Sequence, residues 1–487
     1  MLAPVSSLIP RLAFQHFLPL ALPPRVLAAD AGGSEETPRA PRVDSLERGF
    51  GALVEFCKPE IIDRVLAECG GLEKRRRRFP ARLVVYVLLL MCLYRTLSYQ
   101  KLMYQVAKAA PRPGAWPVPN KSSFCRARAK LGWQVMEGLF RAVARPLADE
   151  RASDSFWRGL RVMAIDGTTI ALAETPANAA FFGGQTKEDG IRIGPPQLKT
   201  VQLLECGTHA TVDAATGSYR EGEHGLAVRL VRSVGPGTVL LADRGLVSVE
   251  LWKCFVEAGA ELVWRAQEQI ASRPLEFLPD GSYLARLASG HKAKPSQAVT
   301  VRVIEYVLED SDKIYRLLTS MLDPRLASAQ ELAALYAERW EIESSFDEFK
   351  THQGAGRELR SQTPDGVLQE FWAHCVVHHL TRQLTYQAAM QIQTRDPDRI
   401  SFTLAQDALR RSIGAVKVRV RRLAAAVRQA IQELAQPRNL IARRNRQYPR
   451  LVRRKQSPYR SRPRHQRTYG VHLPRNPAIY VCGSQFA

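Results

Sequence analysis

"RVMAIDGTTIAL", residues 161–172, decides how the rest of the chain is read. Apolar and β-branched residues run up to Asp166 and resume after Gly167, which is the composition of a strand. The aspartate then falls where a central strand should meet its exit loop. "TVLLADRG", residues 238–245, repeats the arrangement, with an apolar run ending in Asp243. Ligands and catalytic groups of α/β sheets collect at the carboxyl ends of strands, so the two aspartates can converge on a divalent cation through hard oxygen ligands. Asp before Gly is also an ordinary turn pair, and Asp213 in "TVDAATG" competes as a ligand although a turn lies directly behind it.

The flanking sequence places these aspartates in a sheet. "QLKTVQLLECG" and "HATVDAATGSY" are further strand candidates, "HGLAVRLVRSV" and "SVELWKCFVEAG" are helical, and "ELVWRAQ" is a strand again. Three adjacent strands followed by alternating helix and strand predict an α/β class with a mixed sheet. From residue 268 to about 320, "TVRVIEYVL" and "KIYRLLTSML" between Gly and Pro turns predict a β-rich insertion.

A third carboxylate comes from "YAERWEIESSFDEFK", residues 336–350. At ~100° per residue, Tyr336, Arg339, Glu343 and Lys350 fall within an arc of roughly 60° on a helix. Leu335, Ile342, Phe346 and Phe349 form an adjoining apolar arc that packs the helix onto the sheet. Glu343 is then the acid placed to look inward, with Glu338, Glu341 and Glu348 facing solvent. A plain amphipathic helix laced with i,i+4 ion pairs is the competing reading. Three carboxylates around two Mg²⁺ ions suit phosphodiester chemistry, with Arg339 and Lys350 as phosphate grips.

The chain of 487 residues has 70 Lys and Arg against 47 Asp and Glu, a net charge of +23, which favours a polyanionic partner, nucleic acid or an anionic membrane surface. Residues 51–150 read as helices. The apolar run at 83–94, about twelve residues, is short of the ~20 that span a bilayer and predicts a buried core helix. "VPNKSSFCRARAKLGWQVMEGLF" carries Lys121, Arg126, Arg128 and Lys130, suited either to a helical DNA-binding module or to a small bundle with solvated charges.

Residues 1–50, rich in Pro, Gly and Ala, read as a flexible leader. Within it Arg11–Asp30 is broken by His16, Pro19, Pro23 and Pro24 and so does not read as a signal peptide. From Pro437 onward, arginines with interleaved Tyr448, Tyr459 and Tyr469 suit a phosphate clamp. The eight cysteines are scattered without a CxxC pair, as reduced cytosolic thiols are. His374, His378 and His379 invite a zinc reading, but no acid or cysteine completes the set, and they are expected in the core.

Tyr336, Arg339, Glu343 and Lys350 together resemble the Y-(2)-R-(3)-E-(6)-K signature of bacterial DDE transposases of the insertion sequence 4 family. "IDGTTIALAETPANAAFFGG" resembles that family's first-aspartate motif, "LLADRGLVSVELW" its second, and "LRSQTPDGVLQEFW" the segment after the signature. "RRRRFPARLVVYVLLLMCLYRTLSYQKLM" and the segment beginning at Val118 resemble its N-terminal domain. Ala173-Glu174 departs from a commoner Pro-Asp, and neither Trp264 nor Trp340 is placed like the family's insertion tryptophan.

The resemblance implies a ribonuclease H-like mixed-sheet catalytic domain over 158–392 with the β-rich insertion. A helical DNA-binding domain over 51–150 precedes it and a basic region over 393–487 follows. It implies Asp166, Asp243 and Glu343 as the metal-binding triad for two Mg²⁺ ions, Mn²⁺ being able to substitute. Tyr336, Arg339 and Lys350 match positions that contact the element's DNA end, and Lys121, Arg126, Arg128 and Lys130 are expected as further DNA contacts. The expected activity is binding of terminal inverted repeats in double-stranded DNA by a homodimer, followed by cleavage and strand transfer to a target, in the cytoplasm at the nucleoid and with no membrane partner. Two other readings stay open: a catalytically inactive, transposase-derived DNA-binding protein, and a metal-dependent nuclease without strand transfer.

Overall fold

The computed structural model describes residues 48–71, 79–109, 120–152, 155–187, 190–267, 270, 273–288, 298–308, 311–413, 420–442 and 479–481. The leader expected over 1–50, apart from its last three residues, and most of the basic tail after Pro437 lie outside the described residues.

A β-branched run with apolar residues on both faces makes a buried central strand. Among the described residues eleven strands form one mixed sheet: β1 Phe156–Trp157, β2 Leu160–Ala171, β3 Gln197–Glu205, β4 Ala210–Ser218, β5 Thr238–Ala242, β6 Glu261–Ala266, β7 Pro274–Phe277, β8 Tyr283–Leu287, β9 Val299–Leu308, β10 Ser311–Thr319 and β11 Ile479–Val481. The order is β4-β3-β2-β5-β6-β10-β9-β8-β7, with β1 on β2 and β11 on β9. β2, β5 and β6 are parallel to one another, and the other pairings are antiparallel. The segment expected as an insertion thus forms β7 to β10 and extends the same sheet through β10 on β6.

Alternation sorts the central strands onto two cores. Met163, Ile165, Leu240 and Ala242 pack with Leu226, Trp252 and Phe255 on one face. Val162, Ala164, Leu241 and Val263 pack with Leu332, Leu335, Tyr336, Ile342 and Phe346 on the other. The β5–β6 crossover helix, Val249–Glu257, starts where the Ser248 hydroxyl accepts the Leu251 N–H at 3.1 Å.

Helices from both ends of the chain share a third core. The Ala81–Leu93 helix is buried from Leu83 to Leu93, as a helix apolar all round must be. It packs against Pro364–Ala389, whose start is set by Pro364 and the Thr363 cap. Residues of Phe402–Ser412 and Val420–Leu434 join the same core. Among the described residues no helix is long and apolar enough to cross a membrane.

Candidate active site

Ile165 pairs with Ala242 at the last step of the parallel β2–β5 ladder. Asp166 and Asp243 are therefore the next residues on neighbouring strands, ~4.8 Å apart, facing the same side. Asp166 does not sit at an exit loop, nor in a turn, as its Asp-Gly sequence allowed. β2 continues to Ala171, paired there with β3 alone, and Asp166 marks the point where its parallel neighbour stops. Asp213 is a buried acceptor for Arg232 and Ser233.

The third carboxylate arrives on a helical segment begun by a capping box between Ser328 and Glu331. Ala329–Tyr336 is α-helical, Ala337–Arg339 a 3₁₀ turn, Trp340–Asp347 α-helical and Glu348–Gln353 π-helical. Despite these irregular turns Tyr336, Arg339 and Lys350 all bond to the strand edge, and Glu343 is tied to it through Arg339. The Tyr336 hydroxyl donates to the Ala242 carbonyl at 3.3 Å, one residue before Asp243. Arg339, only 4 % exposed, donates from Nη1 to Asp166 Oδ2 at 3.1 Å and from Nη2 to Glu343 Oε1 at 3.3 Å. Lys350 donates to the Thr168 hydroxyl on β2. Arg339 is thus buried between two of the acids and is not displayed on the surface.

The electrostatics follow from that crowding. Burial lifts the Asp166 carboxyl to about 6; Arg339 and the Gly167 N–H oppose this, while Asp243 and Glu223 add to it. Burial pulls the Lys350 amine down, against the attraction of Asp166. For Arg339, burial alone would lower the guanidinium, but Tyr336, Asp243, Asp166 and Glu343 raise it. Asp243 Oδ1 is buried with no hydrogen-bond partner among the described residues, its closest cation being Arg265 Nη1 at 3.8 Å. An orphaned carboxylate oxygen, a neighbouring aspartate that resists ionisation and a donor set of hard oxygens together fit a divalent cation.

Two glutamates expected to face solvent do not. Glu348 is held by Arg382, with Nε donating at 2.9 Å, and Glu341 Oε2 lies 2.5 Å from His209 Nε2. The helical wheel identified their face but not its cover, which is the β3–β4 turn carrying His209 and the 3₁₀ turn Pro397–Arg399. Burial alone would raise the Glu348 carboxyl, yet Arg382 and the neighbouring histidines hold it well below the usual range. His209, Glu341 and Asp398 are spaced as metal ligands are. Burial and Arg382 work against protonation of the His209 ring, but Asp398 and Glu341 raise it to about 9, so the charged ring itself balances the two carboxylates. The group is a buried charge clamp on the helix that carries Glu343.

The basic helix Lys121–Leu131 divides. Lys121, Arg126 and Lys130 are exposed. Arg128, expected as a DNA contact, is buried and donates to Gln369 Oε1 at 2.8 Å, Tyr99 Oη at 2.9 Å, Ser361 Oγ at 3.0 Å and the Gly366 carbonyl at 2.9 Å. A guanidinium so engaged has nothing left for phosphate, and its role is to tie this helix to Pro364–Ala389. His374, His378 and His379 are buried, with His374 against Gln353 and His379 against the Thr211 carbonyl. One acid passed over in the sequence, Glu223, lies with its carboxyl against Gly167. The glycines directly after Asp166 and two residues after Asp243 were the available signal.

Paired aspartates at a strand edge beneath a helix-borne glutamate are a set of hard oxygen donors that suits a divalent cation. The family model described as insertion element 4 transposase N-terminal matches residues 47–141, and the transposase DDE domain model matches 157–380. The chain belongs to the insertion element 4 family of DDE transposases, enzymes of DNA cleavage and transfer that use divalent metal, and its mixed sheet is the ribonuclease H-like core of that fold. It is 29% identical over 435 residues to the transposase InsG for insertion sequence element IS4 of Escherichia coli strain K12, covering 87% of this chain and 96% of that protein. It is also 24% identical over 227 residues to the putative transposase InsZ of the same strain, covering 46% of this chain and 74% of that one. A cryo-EM structure of the piggyBac transposase synaptic complex with hairpin DNA aligns at a TM-score of 0.40 and 12% identity, over 78% of this chain and 84% of that chain.

Proposed function

We propose that the protein binds the terminal inverted repeats of an insertion sequence as a homodimer, cuts at the element's ends and joins the freed 3′-hydroxyl to target DNA. Asp166, Asp243 and Glu343 hold two Mg²⁺ ions, or Mn²⁺. Bound there, the ions would activate the attacking oxygen and stabilise the leaving one. The observation that carries this reading is the Arg339 bridge between Asp166 and Glu343, which draws the helix acid to the aspartate edge. Arg339 balances Asp166 and Glu343 in the metal-free protein, and with those acids holding cations its fork would be free to grip the scissile phosphate, with Lys350 and Tyr336 on the same stripe. Lys121, Arg126 and Lys130 are further contacts to the DNA backbone, in a helical region over 51–150 that precedes the catalytic region over 158–392. The site of action is the bacterial cytoplasm, at the nucleoid.

Labelled element ends, a target plasmid and Mg²⁺ test the reading. Joined product is expected. Cutting without joining would make the protein a nuclease, and end binding without cutting would make it an inactive DNA-binding descendant.

A further inference from the structure

Glu223 opens the short helix Glu223–Val228, which packs on the sheet face opposite the helix of Glu343. The next residue, His224, places Nε2 2.9 Å from the Gly245 carbonyl and so ties this helix to the loop that follows Asp243. A Cβ built on Gly167 would lie 2.7 Å from Glu223 Cδ and 2.8 Å from Oε1, and one on Gly245 would lie 3.9 Å from Oε2. The carboxylate is thus bracketed by the residue after Asp166 and by the loop after Asp243. Because β5 ends at Ala242, no residue of that strand separates Glu223 from β2 beyond Ile165. Among the described residues Glu223 has no hydrogen-bonding or ion-pair partner of its own.

We propose that Glu223 is a fourth carboxylate of the cation site, reaching Asp166 and Asp243 from the far face of the sheet and setting the affinity for the divalent ion. This rests on the active-site reading above. Arg339 offsets Asp166 and Glu343, but Asp243 Oδ1 is buried without a hydrogen-bond partner, and a cation shared with Glu223 would offset the remaining like charge. Gly167 acquires a reason too. Any side chain there would strike the Glu223 carboxyl, so the Asp-Gly pair leaves space for a fourth ligand as well as supplying the first.

Manganese titration of the chelator-stripped full chain, followed by the electron paramagnetic resonance of free Mn²⁺, tests this without DNA or turnover. Glu223→Gln should weaken Mn²⁺ binding about tenfold, within the ~10–100-fold range for residues supporting a metal site. Gly167→Ala, which keeps the acid but displaces it, should weaken binding in the same direction. In end cleavage, Glu223→Gln should need about tenfold more Mg²⁺ for half-maximal rate and recover most of its plateau, as a positioning residue does. Wild-type affinity in both variants, with binding lost in Asp243→Asn, would overturn the role of Glu223 alone. Wild-type affinity in Asp243→Asn as well would overturn the site itself. Should Glu223→Gln not fold, as judged by circular dichroism, Gly167→Ala decides.

Discussion

Arg339 reaches from its helix to Asp166 on β2 across 3.1 Å, and its other terminal nitrogen holds Glu343 at 3.3 Å. One guanidinium therefore sets the spacing of two acids contributed by elements far apart in the chain. Replacing it by methionine should cost the metal-free protein about 1–3 kcal/mol, because both carboxylates lose a charged hydrogen-bond donor. Urea denaturation in chelator at pH 7.5 measures this. An unchanged midpoint would mean that the bridge does not form in solution.

Asp166 should destabilise the metal-free fold near neutral pH. Its carboxyl, raised to about 6 first of all by burial, ionises less readily folded than unfolded, where the value is ~3.9. The penalty is absent below the unfolded value, grows between the two and is complete above 6. Asp166→Asn should therefore stabilise the chelated protein at pH 7.5 by at most about 3 kcal/mol, with the gain gone at pH 4. Thermal melts at the two pH values read out the difference, and an equal gain at both would refute the assignment.

The charge clamp behind Glu343 has the opposite sign. The Glu348 carboxyl is held well below its usual range, with Arg382 the first group to overcome the effect of burial. Its contribution to stability is complete above the unfolded value of ~4.3 and is lost as pH falls through the folded value. Glu348→Gln should cost about 3–5 kcal/mol at pH 7 by stranding the Arg382 charge, and should flatten the acid limb of the stability curve. Urea midpoints between pH 3 and pH 7 check both effects.

The basic helix separates structural from binding cations. Arg128→Ala should lower stability by about 3 kcal/mol through the partners it leaves unsatisfied. Lys121→Ala, Arg126→Ala and Lys130→Ala should each stay within ~0.5 kcal/mol of wild type. Each of the three that touches phosphate should reduce the salt slope of DNA binding by about 1. Fluorescence anisotropy over a salt series distinguishes the two groups.

The strands around both aspartates were legible because β-branched, apolar runs need little beyond themselves to declare a buried strand. The stripe through Tyr336, Arg339, Glu343 and Lys350 was legible because helical spacing survives a 3₁₀ turn before Arg339 and a π turn at Lys350. Local spacing could not say where a neighbouring strand stops, so Asp166 was expected beside a loop rather than within β2. Nor could it say what covers a helix face. Glu348 and Glu341 meet His209 from the β3–β4 turn, and Arg128 meets Gln369 from a helix more than two hundred residues away. Glu223 was missed for the same reason, since its neighbours Gly167 and Gly245 become neighbours only once the sheet has formed.

Single-turnover cleavage of labelled element ends by Asp166→Ala, Asp243→Ala and Glu343→Ala tests the central claim most directly. With end binding measured in parallel by mobility shift, each variant is expected to bind the ends and to release no detectable 3′-hydroxyl product. Cleavage surviving in all three would contradict the placement of the active site at the β2–β5 edge.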